Sequence, residues 1–142
     1  MTDPASLLEV YLRVPGPDGR LTSDEALLDV PDFVRDMGLN SVGTGGIVFD
    51  DERDSVVVTD DLFSVYQALV IDAPAALKAG ETVRYRLRGD PSELVMTPSG
   101  DQTVIVLDDD ETITISTELL LDKLAQTAER FERLQKMAAG EG

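Results

Sequence analysis

The sequence predicts an α+β fold: an antiparallel sheet built from hairpins, with a long C-terminal amphipathic helix and a short N-terminal helical segment packed on it. Three stretches carry that prediction. Thr103 to Leu107 is a continuous apolar run and Thr112 to Ile115 alternates threonine with isoleucine; the acids Asp108, Asp109, Asp110 and Glu111 between them make a solvated connection, so the pair reads as a hairpin with one strand inside a sheet. Ser116 or Thr117 then caps a helix on which Leu120, Leu121, Leu124, Ala128, Phe131, Leu134 and Ala138 fall on one face, and Gly140 ends it. Leu8, Val10, Leu12 and Val14 alternate with Glu9, Tyr11 and Arg13, the period of a half-buried strand.

Along the rest of the chain, Pro15 to Gly19 reads as a turn and Thr22 to Gly38 as helical, with Thr22 and Glu25 as a capping box and Pro31 interrupting the segment to give two short helices or one with a kink. An EF-hand register over Val14 to Glu25 would place Asp18, Gly19 and Glu25 correctly, but it puts Val14 and Gly16 where the first ligands belong, so a turn before a capped helix is the expected structure. Ser41 to Gly46 is glycine-rich without the lysine or spacing of a phosphate-binding loop and reads as a turn. Ile47 to Phe49 and Ser55 to Val58 flank Asp50 to Asp54 as a second hairpin with an acidic tip. Asp61 to Ile71 reads as an Asp-capped short helix running into extended chain, and Pro74 to Gly80 as one helical turn capped by Asp72. Thr82 to Arg88 is a strand with Val83, Tyr85 and Leu87 on one side and Arg84, Arg86 and Arg88 on the other. A turn at Gly89 to Pro91 and a strand from Glu93 to Thr97 lead into the last hairpin. Glu129 with Arg133 and Glu132 with Lys136 have the spacing of exposed helical ion pairs, and Arg130 joins the cations that trail the helix.

Composition narrows function chiefly by exclusion. The 142 residues read as a single domain, 1–142, with no apolar run near the roughly 18 residues of a membrane span and no secretory leader. There is no Cys and no His, hence no thiolate nucleophile, zinc cluster, imidazole base or Ser-His-Asp relay. Catalytic residues, metal ligands and cofactors are therefore all expected to be none; an enzyme would have to run on carboxylates, Lys, Tyr or a hard cation. With 28 acids against 12 basic residues the net charge is −16, which disfavours nucleic acid as a partner. The acids are spread through the chain, and Arg outnumbers Lys nine to three, the surface chemistry of proteins from salt-loving organisms. Arg84, Arg86 and Arg88 are the partner-binding candidates, because three guanidiniums on one strand of so acidic a protein suit bidentate contact with carboxylates or phosphates, cross-strand pairing being the plainer use for them. The acidic tips at 50–54 and 108–111 would hold a cation only if they met in space. The expected function is a non-catalytic structural or assembly subunit of a halophile, a component of a virion or another homo-oligomeric complex. It would be cytoplasmic or in the virion, with other protein subunits as partners. The alternative is a small acidic binding protein of inhibitor, immunity or adaptor type that recognises a basic protein.

Molar salt shortens the Debye length to about 3 Å and so screens the self-repulsion of a −16 chain. Screening should therefore relieve several kcal/mol of repulsion from dilute buffer to about 3 M KCl, and the melting temperature should rise across that range. A calorimetric scan that is flat across that range would contradict it.

Overall fold

The computed structural model describes residues 8–17, 20–37, 44–88, 91–108 and 111–140. Among these described residues eight strands form two four-stranded antiparallel sheets, where the sequence suggested a single sheet. The first sheet, in the order β2-β1-β3-β4, holds β1 (Glu9–Pro15), β2 (Leu21–Ser23), β3 (Thr44–Asp50) and β4 (Ser55–Asp61). The second runs β5-β6-β7-β8, from β5 (Val83–Arg86) through β6 (Glu93–Ser99) and β7 (Gln102–Leu107) to β8 (Glu111–Ser116). β4 lies against β7 and β8 without joining their ladder. The chain reaches the second sheet through a helical passage, α3 (Leu62–Val65), a π-helical stretch (Tyr66–Asp72) and α4 (Ala73–Lys78), so Val70 and Ile71 are helical rather than extended. Asp61 caps α3 by accepting from the Ser64 N–H at 3.0 Å, as the sequence suggested, whereas Asp72 caps nothing and accepts instead from Gln67 Nε2.

Local chemistry explains the other departures from the sequence reading. Thr22 sits in β2, and the cap of α1 (Asp24–Leu27) is Ser23, whose Oγ accepts from the Ala26 N–H at 3.2 Å. Pro31 does divide the segment into two short helices, as the sequence suggested, and it does so by opening α2 (Pro31–Met37), where its missing N–H costs nothing in a first turn. Val14 and Thr22 pair across a β-hairpin, so the EF-hand register has a strand on either side of its turn instead of helices; Asp18 and Gly19 lie outside the described residues. Gly45 and Gly46 belong to β3: a Cβ on Gly46 would collide with the Val58 carbonyl oxygen, and one on Gly45 would come within 2.8 Å of Leu62 Cβ. Gly45 and Gly46 thus serve close approach of β3 to its neighbours, while residues 41–43 of the run lie outside the described residues.

The two sheets and α5 (Thr117–Ala138) bury a common hydrophobic cluster that includes Leu12, Ile47, Phe49 and Val58 from the first sheet and Leu94, Met96, Ile105 and Ile115 from the second. Helix α5 touches β1, β7, β8, α1, α2, the π-helical stretch and α4. Leu120, Leu124, Phe131 and Leu134 are buried as the periodicity predicts, Leu121, Ala128 and Ala138 partly so, and Thr127 and Met137 join them. The Phe131 ring meets Phe63 edge-on at 5.8 Å and Tyr66 at 4.4 Å between centroids. Ser116 caps the helix, Gly140 leaves it at φ 81°, and Glu132 pairs with Lys136 at 3.5 Å; among the described residues no ion pair joins Glu129 to Arg133. No helix of the described residues is long and apolar enough to cross a membrane.

Arg130 is not a surface cation. Its Nε donates to Asp24 Oδ2 at 3.2 Å and its Nη2 to the Val10 carbonyl at 2.7 Å; the Asp24 side chain is 0% exposed and that of Arg130 18%. Burial raises the Asp24 carboxyl above its ordinary value, and Arg130 works against that rise. Removing one member of a buried pair strands the other's charge, so Asp24→Asn and Arg130→Met should each cost about 3–5 kcal/mol. The double variant Asp24→Leu, Arg130→Met should recover a large part of the loss, which denaturant titration of all four proteins will measure.

Candidate functional site

The outward face of the second sheet is the site to which the candidate arginines lead. Inward residues of its strands enter the core, leaving cross-strand rows outside: Arg84–Val95–Val106–Thr112, Arg86–Glu93, Thr97–Val104–Thr114 and Ser99–Gln102–Ser116. Val95, Val104 and Val106 are half-buried, yet they pack against none of the core cluster and thus form a β-branched stripe on the outer surface. Glu93 is the one carboxylate in those rows, and Arg84 Nη1 donates to its Oε1 at 3.1 Å. Both members of that pair are exposed, 64% and 40%, which limits it to under about 1 kcal/mol.

The three arginines separate in space. Arg84 and Arg86 occupy the edge strand β5 with exposed side chains, and Arg86 makes no hydrogen bond or ion pair with any described residue. Arg88 lies beyond the strand and is turned toward the first sheet, its backbone N–H donating to Asp60 Oδ2 at 3.0 Å and its Nη1 to Ser64 Oγ at 3.2 Å. Asp60 was not foreseen. The Tyr85 hydroxyl also donates to Asp60 Oδ2, at 2.6 Å, which ties the end of β4 to the edge strand. Tyr85 faces the core with Leu87, and a phenol pointed inward must find an acceptor; that need was the available signal for Asp60.

Partial burial opposes the charge on Asp60, but the Tyr85 hydroxyl and the N–H groups of Arg88 and Asp61 outweigh it and hold the carboxyl below its ordinary 3.8. Burial and then the Asp60 carboxylate push the Tyr85 phenol well above its ordinary value.

The acidic tip between β3 and β4 is turned on itself. Asp50 Oδ1 accepts from the Glu52 N–H at 2.8 Å, and Asp51 Oδ1 from Arg53 and Asp54 at 2.9 and 2.7 Å. These are turn-capping carboxylates. Of the other tip, Asp109 and Asp110 lie outside the described residues, and among the described residues no group of three or more acids is placed to hold a metal ion. Compared with known proteins, the chain matches no family model, no curated protein and no solved structure.

A carboxyl with a depressed folded-state pKa contributes stability above its unfolded pKa and loses it as pH falls through 3.8 toward the lower folded value. Replacing Tyr85 by Phe removes the strongest opponent of Asp60 protonation. Stability of Tyr85→Phe should therefore fall less steeply than that of the parent below about pH 4. Denaturant midpoints between about pH 5 and 2.5 give both slopes, and identical slopes would remove Asp60 from the acid response.

Proposed function

We propose that this chain is a non-catalytic assembly subunit that docks through the outward face of its second sheet onto further copies of itself, in the cytoplasm or virions of a halophile. The observation that carries the reading is chemical contrast: on a chain of net charge −16, the described cross-strand rows of this face offer valines, threonines and two arginines, with the one carboxylate in those rows, Glu93, already neutralised. A surface needing only hydration in this composition would carry acids. Arg86 has no partner among the described residues, and a second copy of net charge −16 offers carboxylates in excess of cations. Guanidinium pairs with them in a planar, two-pronged contact while the valine stripe is drawn out of water. Salt screens the net repulsion between subunits of this charge as well as any guanidinium pair left exposed, whereas the buried apolar part is insensitive to screening.

Light scattering after size exclusion in about 3 M KCl should find an oligomer, and Arg84→Ser, Arg86→Ser should weaken association by at least tenfold with little change in the melting temperature of the subunit. A monomer at high concentration would sink the assembly reading and favour an acidic binding protein. An oligomer untouched by the double variant would overturn the choice of this face and put the interface elsewhere.

A further inference from the structure

A second unclaimed feature lies on the outward face of the first sheet, away from the proposed interface. There β1, β2, β3, β4 and the start of α1 border an open cavity of about 550 Å³, within the roughly 300–1,000 Å³ range of small-molecule sites. Its floor is the cross-strand row Tyr11–Val48–Val57. Val48 is only 4% exposed although it lies outside the core cluster, so the floor is a shielded apolar strip.

The two ends of that strip have opposite needs. At one end Glu9 and Asp50 stand directly opposite each other in the β1–β3 register, and both border the cavity. Like charges in that position repel, and among the described residues no cation lies within ion-pairing distance of either. At the other end, opposite Ser23, is the half-buried Arg13, whose side chain makes no hydrogen bond or ion pair to any described residue. Glu25, which borders the cavity nearby, has its carboxylate 3.8 Å from Arg130 Nη2. Arg130 itself shows what this chain does with a guanidinium taken partly out of water: it surrounds it with a carboxylate and a carbonyl. Arg13 has neither.

We propose that this cavity is a binding site for a short peptide with free termini, its ammonium between Glu9 and Asp50, its carboxylate on Arg13 and apolar side chains over Tyr11, Val48 and Val57. From Glu9 to Arg13 the strand advances four residues, about 13 Å, which a fully extended tetrapeptide spans. A cation alone would leave Arg13 unpaired, and an anion alone would leave the Glu9–Asp50 repulsion; a ligand with both charges at this separation relieves both.

The test is calorimetric titration of the full chain, at the lowest KCl concentration that keeps it folded, with the tetrapeptide Ala-Val-Val-Ala in free, N-acetylated and C-amidated forms. The free peptide should bind saturably, and each blocked form at least tenfold more weakly. Arg13→Gln should weaken the free peptide by a similar factor while leaving the C-amidated one unchanged. Glu9→Gln, at an exposed position where folding is not at stake, should do the converse, weakening the free peptide and leaving the N-acetylated one unchanged. Absence of saturable heat to about 5 mM free peptide, equal affinity for free and blocked peptides, or a free-peptide affinity indifferent to Glu9→Gln would each overturn the assignment. If Arg13→Gln fails to fold, Arg13→Lys, which keeps the charge but loses the fork, should still bind the free peptide more weakly than the parent.

Discussion

Helix α5 is held to the first sheet through a polar node set inside an otherwise apolar interface, and the placement of most other elements follows from it. Arg130 reaches the Asp24 carboxylate of α1 and the Val10 carbonyl of β1, while the buried Thr127 hydroxyl, one turn back, donates to the same carbonyl at 3.2 Å. Three elements distant in sequence thereby have one relative position in which every polar atom is satisfied. Apolar packing alone is non-directional and would tolerate a slide of the helix along the sheet. A shifted helix would instead leave a carboxylate and a guanidinium buried without partners, at a cost of several kcal/mol.

With α5 in that position, the rest of the core has little freedom. Phe131 presents its ring to Phe63 and Tyr66, which anchors the helical passage between the sheets, and that passage carries the chain to where β5 begins a second sheet. At the end of β4, just before the passage begins, Asp60 gathers the Tyr85 hydroxyl and the Arg88 N–H, so the edge strand is attached to the first sheet by hydrogen bonds in place of a shared ladder. Both sheets thus turn one face to the common core and leave the other to solvent. The two outward faces carry different chemistry: valine, threonine and arginine on one, and a bipolar cavity on the other.

Sequence periodicity located most of what lies within a single element. The alternation at Leu8 to Val14, the hairpins at β3–β4 and β7–β8, the Asp61 and Ser116 caps, and the apolar face of α5 are all local, set by strand or helix period and by a side chain bonding a backbone group three residues on. The α+β class follows from these together. For the candidate face, the alternation of Arg84, Tyr85 and Arg86 was legible for the same reason, since a strand sends neighbouring residues to opposite sides.

What only the tertiary structure decided are the relations between elements. The division into two sheets depends on where a helical passage ends, and periodicity is silent on the direction a chain takes after a helix. Gly45 and Gly46 read as a turn because a turn tolerates glycine; the distance to Val58 and Leu62 that demands it is a contact across strands and helices. Arg130 reads as a surface cation because its partner lies 106 residues away in sequence, and Arg88 parts from Arg84 and Arg86 because Asp60 and Ser64 draw it to the other sheet. In each instance the identity of a residue states which partner it needs. Which one it meets is settled by packing, because that is what brings distant parts of the chain within the few ångströms over which these interactions act.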